Sequence, residues 1–343
     1  MASEQGIKEF LAKVATGEDL SISEARQAMA EIMSGKATPA QIAAYLVALR
    51  LKGETTEEIT GSAQAMREAC LPFECEGPVL DTCGTGGDEV GTFNVSTAGA
   101  IVAAACGVKV AKHGNYAVSS ASGSADVLKK FGVNIEAPLP VLKRCFDEAN
   151  IAFLFAPAFH KAMKYAIGPR REIGLRTIFN ILGPLASPAK ATRHLLGVYN
   201  EALAERLAGV FKNLGAEHAW VVHGHDGLDE ITITGETRVV EVAEGEIDSF
   251  MIEPEVYGIS RGRLEDLLVK SVDESAQAIR DVFAGKEGPR RDMVLLNAGG
   301  ALVVGGRATD LGEGIHFAAE AIDSGKAQET LEKLAHLSQE QTG

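Results

Sequence analysis

Apolar positions recur at helical spacing through the first seventy residues. Ser21-Ile22-Ser23-Glu24 forms a capping-box pattern, followed by Ile22, Ala25, Met29 and Ile32 on one helical face, with Gly35 placed to end the helix. Thr38-Pro39 supplies an N-cap with proline at the first helical position; Ile42, Leu46 and Leu49 then share a face as far as Gly53. Thr55-x-x-Glu58 starts a third helix, stopped by Pro72. From about residue 78 short apolar runs alternate with helical patterns. Strands are predicted at Val79–Thr82, Val108–Ala111, Val133–Glu136, Ile151–Phe155, His194–Tyr199 and Ala219–His223. Helices are predicted at Thr97–Cys106, Ser124–Phe131, Leu139–Ala149 and Glu201–Leu214, with a helical interlude over Ala162–Leu182. Val239–Val242 and Phe250–Ile252 suit an antiparallel addition, and the C-terminal helices are Glu274–Ala284, Asp292–Val303 and Ile315–His336. Such alternation implies right-handed βαβ units. The expected fold class is α/β: a small all-helical domain plus a larger α/β domain with a mainly parallel central sheet flanked by helices.

Composition narrows the class. The chain has 343 residues, 46% hydrophobic and 23% charged, with a net charge of −14, which argues against bulk attraction to nucleic acid or an anionic membrane. Residues 1–10 carry Glu4, Lys8 and Glu9 with no apolar core, unlike a secretory signal, and no run reaches the length of a membrane span. Five cysteines without a Cys-x-x-Cys pair suit reduced thiols in a cytoplasmic protein.

Function in such sheets sits at the carboxyl ends of strands. Three polar loops are expected on that rim. The first, Asp81-Thr82-Cys83-Gly84-Thr85-Gly86-Gly87-Asp88, crowds glycines after a strand and before a helix. Without Cβ atoms, its backbone N–H groups can close on phosphate oxygens. It is neither a Walker A loop nor a clean G-x-G-x-x-G. The second, Lys112 to Asp126, offers a lysine, Gly114 and a run of serines ending at the helix start Ser124. Alone it reads equally well as a serine-rich surface turn; beside the glycine loop the phosphate reading is favoured. The third, His223 to Glu230, places Asp229 and Glu230 together, and hard oxygen ligands suit Mg²⁺ shared with substrate phosphates. His223 and His225 make only a weak case for zinc. A basic segment, Lys161, Lys164, Arg170, Arg171 and Arg176, is expected to turn one or two cations toward a site, where an arginine can clamp a carboxylate.

Six motifs in order, Gly84-Thr-Gly-Gly-Asp88, Asn94-Val-Ser-Thr97, Lys112-His-Gly-Asn115, Ser122-Gly-Ser-Ala-Asp126, Arg170-Arg-Glu-x-Gly-x-Arg-Thr-x-Phe-Asn-x-Leu-Gly-Pro-Leu185 and Gly227-x-Asp-Glu230, together resemble the anthranilate phosphoribosyltransferases of tryptophan biosynthesis. The resemblance spans nearly the whole chain. It implies a homodimer with a helical domain (1–72, completed by helices from 162–185), an α/β phosphoribosyl-binding domain (78–160 and 190–343) and a site in the cleft between them. It implies that Gly84, Gly86, Gly87, Asp88, Thr92, Asn94, Val95, Ser96, Thr97, Lys112, Ser120 and Ser124 hold 5-phosphoribosyl 1-pyrophosphate (PRPP). Ser96, Asp229 and Glu230 would bind Mg²⁺, and Gly84, His113, Asn115, Arg170 and Pro184 would meet anthranilate. Tyr116, Ala121 and Lys161 depart from the usual family pattern at the acceptor side. Two other readings share the fold. A pyrimidine nucleoside phosphorylase would carry a lysine in its phosphate loop, where this chain has Asp88 and Glu89; a nucleic-acid-binding relative would want a basic groove.

Overall fold

A computed structural model describes residues 6–86, 90–117 and 122–340. Four helices come first: α1 (Ile7–Ala15), α2 (Ile22–Met33), α3 (Pro39–Lys52) and α4 (Thr56–Ala69). The three sequence-read caps are present, Ser21, Thr38 and Thr55 each accepting from the backbone N–H three residues on. The rest runs β1 (Leu80–Gly84), α5 (Val95–Ala105), β2 (Val110–Gly114), α6 (Ser124–Lys130), α7 (Leu139–Ala149), β3 (Ile151–Phe155), α8 (Ala156–Phe159), α9 (Lys164–Ile173) and α10 (Phe179–Leu185). It continues through β4 (Arg193–Gly197), α11 (Ala202–Asn213), β5 (His218–Gly224), β6 (Thr237–Ala243), β7 (Glu246–Ile252), α12 (Val272–Phe283), α13 (Pro289–Val304), α14 (Leu311–Asp323) and α15 (Lys326–Ser338).

The strands form one sheet in the order β3-β2-β1-β4-β5-β6-β7; the first five are mutually parallel and the last two antiparallel additions. Alternate side chains enter different cores. Leu195, Trp220 and Val222 pack with α5, α13 and α14, whereas Leu196, Ala219 and Val221 pack with α11 and the N-terminal helices. The bundle and one sheet face therefore share a core, reinforced by Ile178–Ala186.

Two expectations fail. Residues 133–136 form a turn, not a strand. Val133 N–H donates to Leu128 O at 3.0 Å, Ala137 N–H to Asn134 O at 3.2 Å and Glu136 N–H to Asn134 Oδ1 at 3.1 Å, so local bonds take up the donors a ladder would need. Val133 and Ile135 are buried at alternate positions, which mimics a strand in sequence. The predicted helix Ile315–His336 is two helices, broken at Ser324-Gly325, where Gly325 takes φ 81°.

Candidate active site

The four adjacent parallel strands β1, β2, β4 and β5 each end in glycine: Gly84, Gly114, Gly197 and Gly224. Two of these let another segment lie across the strand ends. A Cβ on Gly84 would meet Asp229 Oδ2 at 2.2 Å, and one on Gly197 would meet the Asp229 carbonyl oxygen at 1.6 Å. Asp229 Oδ2 accepts from Gly86 N–H at 2.8 Å, and Glu230 Oε1 accepts from Ser96 N–H at 3.2 Å, in the first turn of α5. The first and third loops thus meet as expected. The acidic loop is braced by Asp226, which accepts from Leu228 N–H at 3.1 Å and from the Thr232 hydroxyl at 2.6 Å.

Asp229 at Gly86 and Glu230 at Ser96, which adds a hydroxyl, offer only oxygen donors, and that set fits Mg²⁺ held jointly with phosphate oxygens. Among the described residues no three His, Cys, Asp or Glu side chains gather as a metal cage. His223 Nδ1 lies 2.7 Å from Val198 O, while the His225 ring lies against Gly235, so the two imidazoles do not converge as a zinc pair.

Behind this rim β1 and β2 separate. Their register records only Leu80 opposite Val110, whereas β1 pairs with β4 over all five residues. Side chains occupy the gap. Lys112, 2% exposed, donates from Nζ to Thr82 O at 2.6 Å and lies 3.4 Å from Ser96 Oγ. Asp81 Oδ1 accepts from His113 N–H at 3.1 Å. An ammonium and a carboxyl thus stand in for ladder bonds where the first and second loops leave the sheet.

Burial pushes the Asp81 carboxyl up to about 7 against the pull of Lys112, and burial lowers the Lys112 ammonium. Because Asp81 is raised above its ordinary value of 3.8, the stability it contributes is full below that value and is lost as pH rises toward about 7. The slope is about 1.4 kcal/mol per pH unit, a total loss on the order of 4 kcal/mol. Asp81→Asn should flatten it. Urea melts between about pH 4 and 8 should show the variant gaining on the native chain as pH rises; parallel curves would reassign the proton.

The second loop is tied to both neighbours. Asn94 Nδ2 donates to Ser122 O at 3.0 Å, and Asn94 Oδ1 accepts from Ser122 Oγ at 2.6 Å and Ser275 Oγ at 2.7 Å. Asp126 Oδ2 gathers Ala117 N–H at 2.9 Å and Gly123 N–H at 3.0 Å; Ser124 Oγ donates to Asn115 O at 3.3 Å. Thr92 bridges Leu268. Val95 and Thr97 are buried, so the Val95 side chain belongs to the core and only its backbone faces the loop. Gly87, Asp88, Ser120 and Ala121 lie outside the described residues.

Among the residues expected to meet the acceptor, His113 Nδ1 lies 3.2 Å from Gly183 O, beside Pro184 in α10, and its ring centroid is 5.0 Å from that of His160. Burial lowers His113 to about 3 and His160 to about 4, so both imidazoles are neutral at working pH. Asn115 and Tyr116 are exposed, Tyr116 edge-on to Phe155 at 5.1 Å. Arg170 is half-buried over the Phe179 ring at 5.0 Å, and among the described residues no carboxylate pairs with it. Lys161, Lys164 and Arg171 are exposed, and Arg176 stacks on Tyr199 at 4.7 Å. Sequence reasoning does not mark Asp81, His160, Ser275 or Asn297 as site residues. Asp81 stands in the glycine-loop motif as an acid inside a buried strand; Ser275 and Asn297 lie in distant helices and give no local signal.

Among the described residues no helix is long and apolar enough to cross a membrane. A sequence model described as the glycosyl transferase family, a/b domain, matches residues 76–328, and the helical bundle domain of that family matches residues 8–70. The chain is 53% identical to an anthranilate phosphoribosyltransferase of Geotalea uraniireducens, covering 97% of this chain and 100% of the relative. It is 51% identical to that of Acetivibrio thermocellus, with 96% of each covered. The crystal structure of anthranilate phosphoribosyltransferase from Thermus thermophilus superimposes with a TM-score of 0.91 at 42% identity, covering 96% of this chain and 99% of that one. The Saccharomyces cerevisiae enzyme in complex with PRPP and Mg superimposes with a TM-score of 0.88 at 29% identity, covering 98% of each.

Proposed function

Because this chain belongs to the anthranilate phosphoribosyltransferase family, we propose that the rim of its sheet transfers the phosphoribosyl group of PRPP to the amine of anthranilate. The products are N-(5-phosphoribosyl)anthranilate and pyrophosphate, in tryptophan biosynthesis. The observation that carries this reading is the junction of Gly86, Ser96, Lys112, Asp229 and Glu230: backbone donors, a hydroxyl, an ammonium and two carboxylates at one set of strand ends.

The C1′–O bond breaks with its electron pair leaving on pyrophosphate. The amine nitrogen bonds to C1′ and loses a proton. The protein's task is positioning and charge stabilisation, and no nucleophilic side chain is required. Gly84 and Gly86, with Asn94, Ser96 and Ser124, cradle the donor; Lys112 supplies positive potential from beneath. Gly87, Asp88, Thr92, Val95, Thr97 and Ser120 complete the cradle in this reading. Ser96, Asp229 and Glu230 would hold Mg²⁺, which supplies charge neutralisation for the leaving pyrophosphate. On the acceptor side, Arg170 takes the anthranilate carboxylate, with neutral His113, Asn115 and Pro184 around the ring.

The same reading divides the chain into a helical domain (1–72 with 162–185) and an α/β domain (78–160 and 190–343). It describes a cytoplasmic homodimer, supported by the exposed Leu51, Ile167 and Leu175 on and beside α3 and α9. A monomer in sedimentation would remove the dimer. Arg170→Ala should raise the anthranilate KM about tenfold with kcat little changed, as expected when a charge-assisted bond serves ground and transition states alike. An unchanged KM would take Arg170 out of the acceptor site.

The direct test is loss of anthranilate fluorescence with PRPP, with and without Mg²⁺, beside a tube of thymidine and phosphate. Mg²⁺-dependent loss is expected. Release of free base in the second tube alone would move the function to phosphorolysis.

A further inference from the structure

Asp229 and Glu230 sit on a loop, yet their task needs them held at a fixed distance from Ser96 on α5. The residue that follows them is gripped from a helix. Asn297, 1% exposed on α13, accepts from Ile231 N–H through Oδ1 at 2.9 Å and donates from Nδ2 to Ile231 O at 2.8 Å. The same Nδ2 donates to Met293 O at 2.9 Å, which fixes the side chain on its own helix. A carboxamide has a donor and an acceptor side by side, so it can satisfy both backbone groups of one residue.

The helix that supplies this clamp also sets the other half of the site. At Gly99, three residues after Ser96, α5 packs on the backbone of α13; a Cβ there would stand in ordinary contact, 3.5 Å from Ala298 N and 3.6 Å from the Asn297 carbonyl carbon. Ile231 is fully buried against the same helix, where a Cβ on Gly300 would meet its Cδ1 at 2.8 Å. One turn of α13 therefore registers Ser96 and Glu230 against each other.

We infer that Asn297 is a positioning residue: its two-point grip on Ile231 holds Asp229 and Glu230 in place for a phosphate-bound divalent cation. This rests on reading Ser96, Asp229 and Glu230 as that cation's ligands. A buried polar group left unpaired carries a desolvation penalty that favours rearrangement, and loss of the groups that orient metal ligands weakens a site about 10–100-fold.

The test is Asn297→Asp, which keeps the size and the acceptor facing Ile231 N–H but aims a carboxylate at two carbonyls. Binding of Mn²⁺ in the presence of inorganic pyrophosphate, followed by electron paramagnetic resonance, should weaken about tenfold, while the anthranilate KM stays within about twofold. Should N297D fail to fold, Asn297→Ser, which cannot span both Ile231 groups, is read in the same way. Wild-type Mn²⁺ binding in the folded variant overturns the inference. A native chain that binds no Mn²⁺ with pyrophosphate overturns the ligand reading beneath it as well.

Discussion

Gly197→Ala should lower kcat/KM for PRPP by about two orders of magnitude, the scale of loss for a displacement of ~1 Å at a reacting centre. The added Cβ would stand 1.6 Å from the Asp229 carbonyl oxygen and 2.2 Å from its carbonyl carbon. Both are backbone atoms, so no side-chain rotation relieves the clash. Gly197 ends β4, which is bonded to β1 on one side and β5 on the other, so the strand cannot yield. The segment carrying Asp229 and Glu230 must move instead. Steady-state kinetics against the native chain checks it. A G197A enzyme as active as the native chain would show that the acidic loop is free to shift.

Lys112→Met should cost about 10²–10³-fold in kcat/KM for PRPP, corresponding to about 3–4 kcal/mol of lost charge-assisted contact. Methionine fills the tunnel left by the lysine stem but offers no ammonium to Thr82 O or Ser96 Oγ. It also removes the counter-charge of Asp81, whose carboxyl then stays protonated to higher pH. The double variant K112M/D81N should therefore melt at a higher temperature than K112M while remaining as slow. The same gain from D81N in the K112M and native backgrounds would mean that the two side chains do not feel each other.

Much of this was legible in the sequence because the relevant signals are local. The caps at Ser21, Thr38 and Thr55 were readable from four residues each. The glycine crowding after the first strand was readable on its own, and the meeting of the first and third loops followed from element order; the end of β4 at Gly197 was not, since the predicted strand ran on to Tyr199. What escaped has a different physical origin. Val133 and Ile135 alternate because a turn buries both, and periodicity cannot tell that from a strand. Asp81 became significant only when β1 and β2 were seen to part beside it. Asn297 acts across 66 positions of chain, a separation at which no spacing rule speaks.

The shared core has a consequence for synthesis. Ile7, Met29, Leu46 and Ile59 from the N-terminal helices close on Leu182, Leu196, Phe211, Val221 and Val242. A ribosome that has released only the first domain's worth of chain has released a bundle with one side open. Its apolar seam stays exposed until the strand carrying Val242 emerges, and late non-local contacts of this kind are where nascent chains recruit chaperones or aggregate. Truncation anywhere before β6 strands that seam, so a nonsense lesion in the middle of the gene should yield an insoluble fragment and not a stable helical remnant.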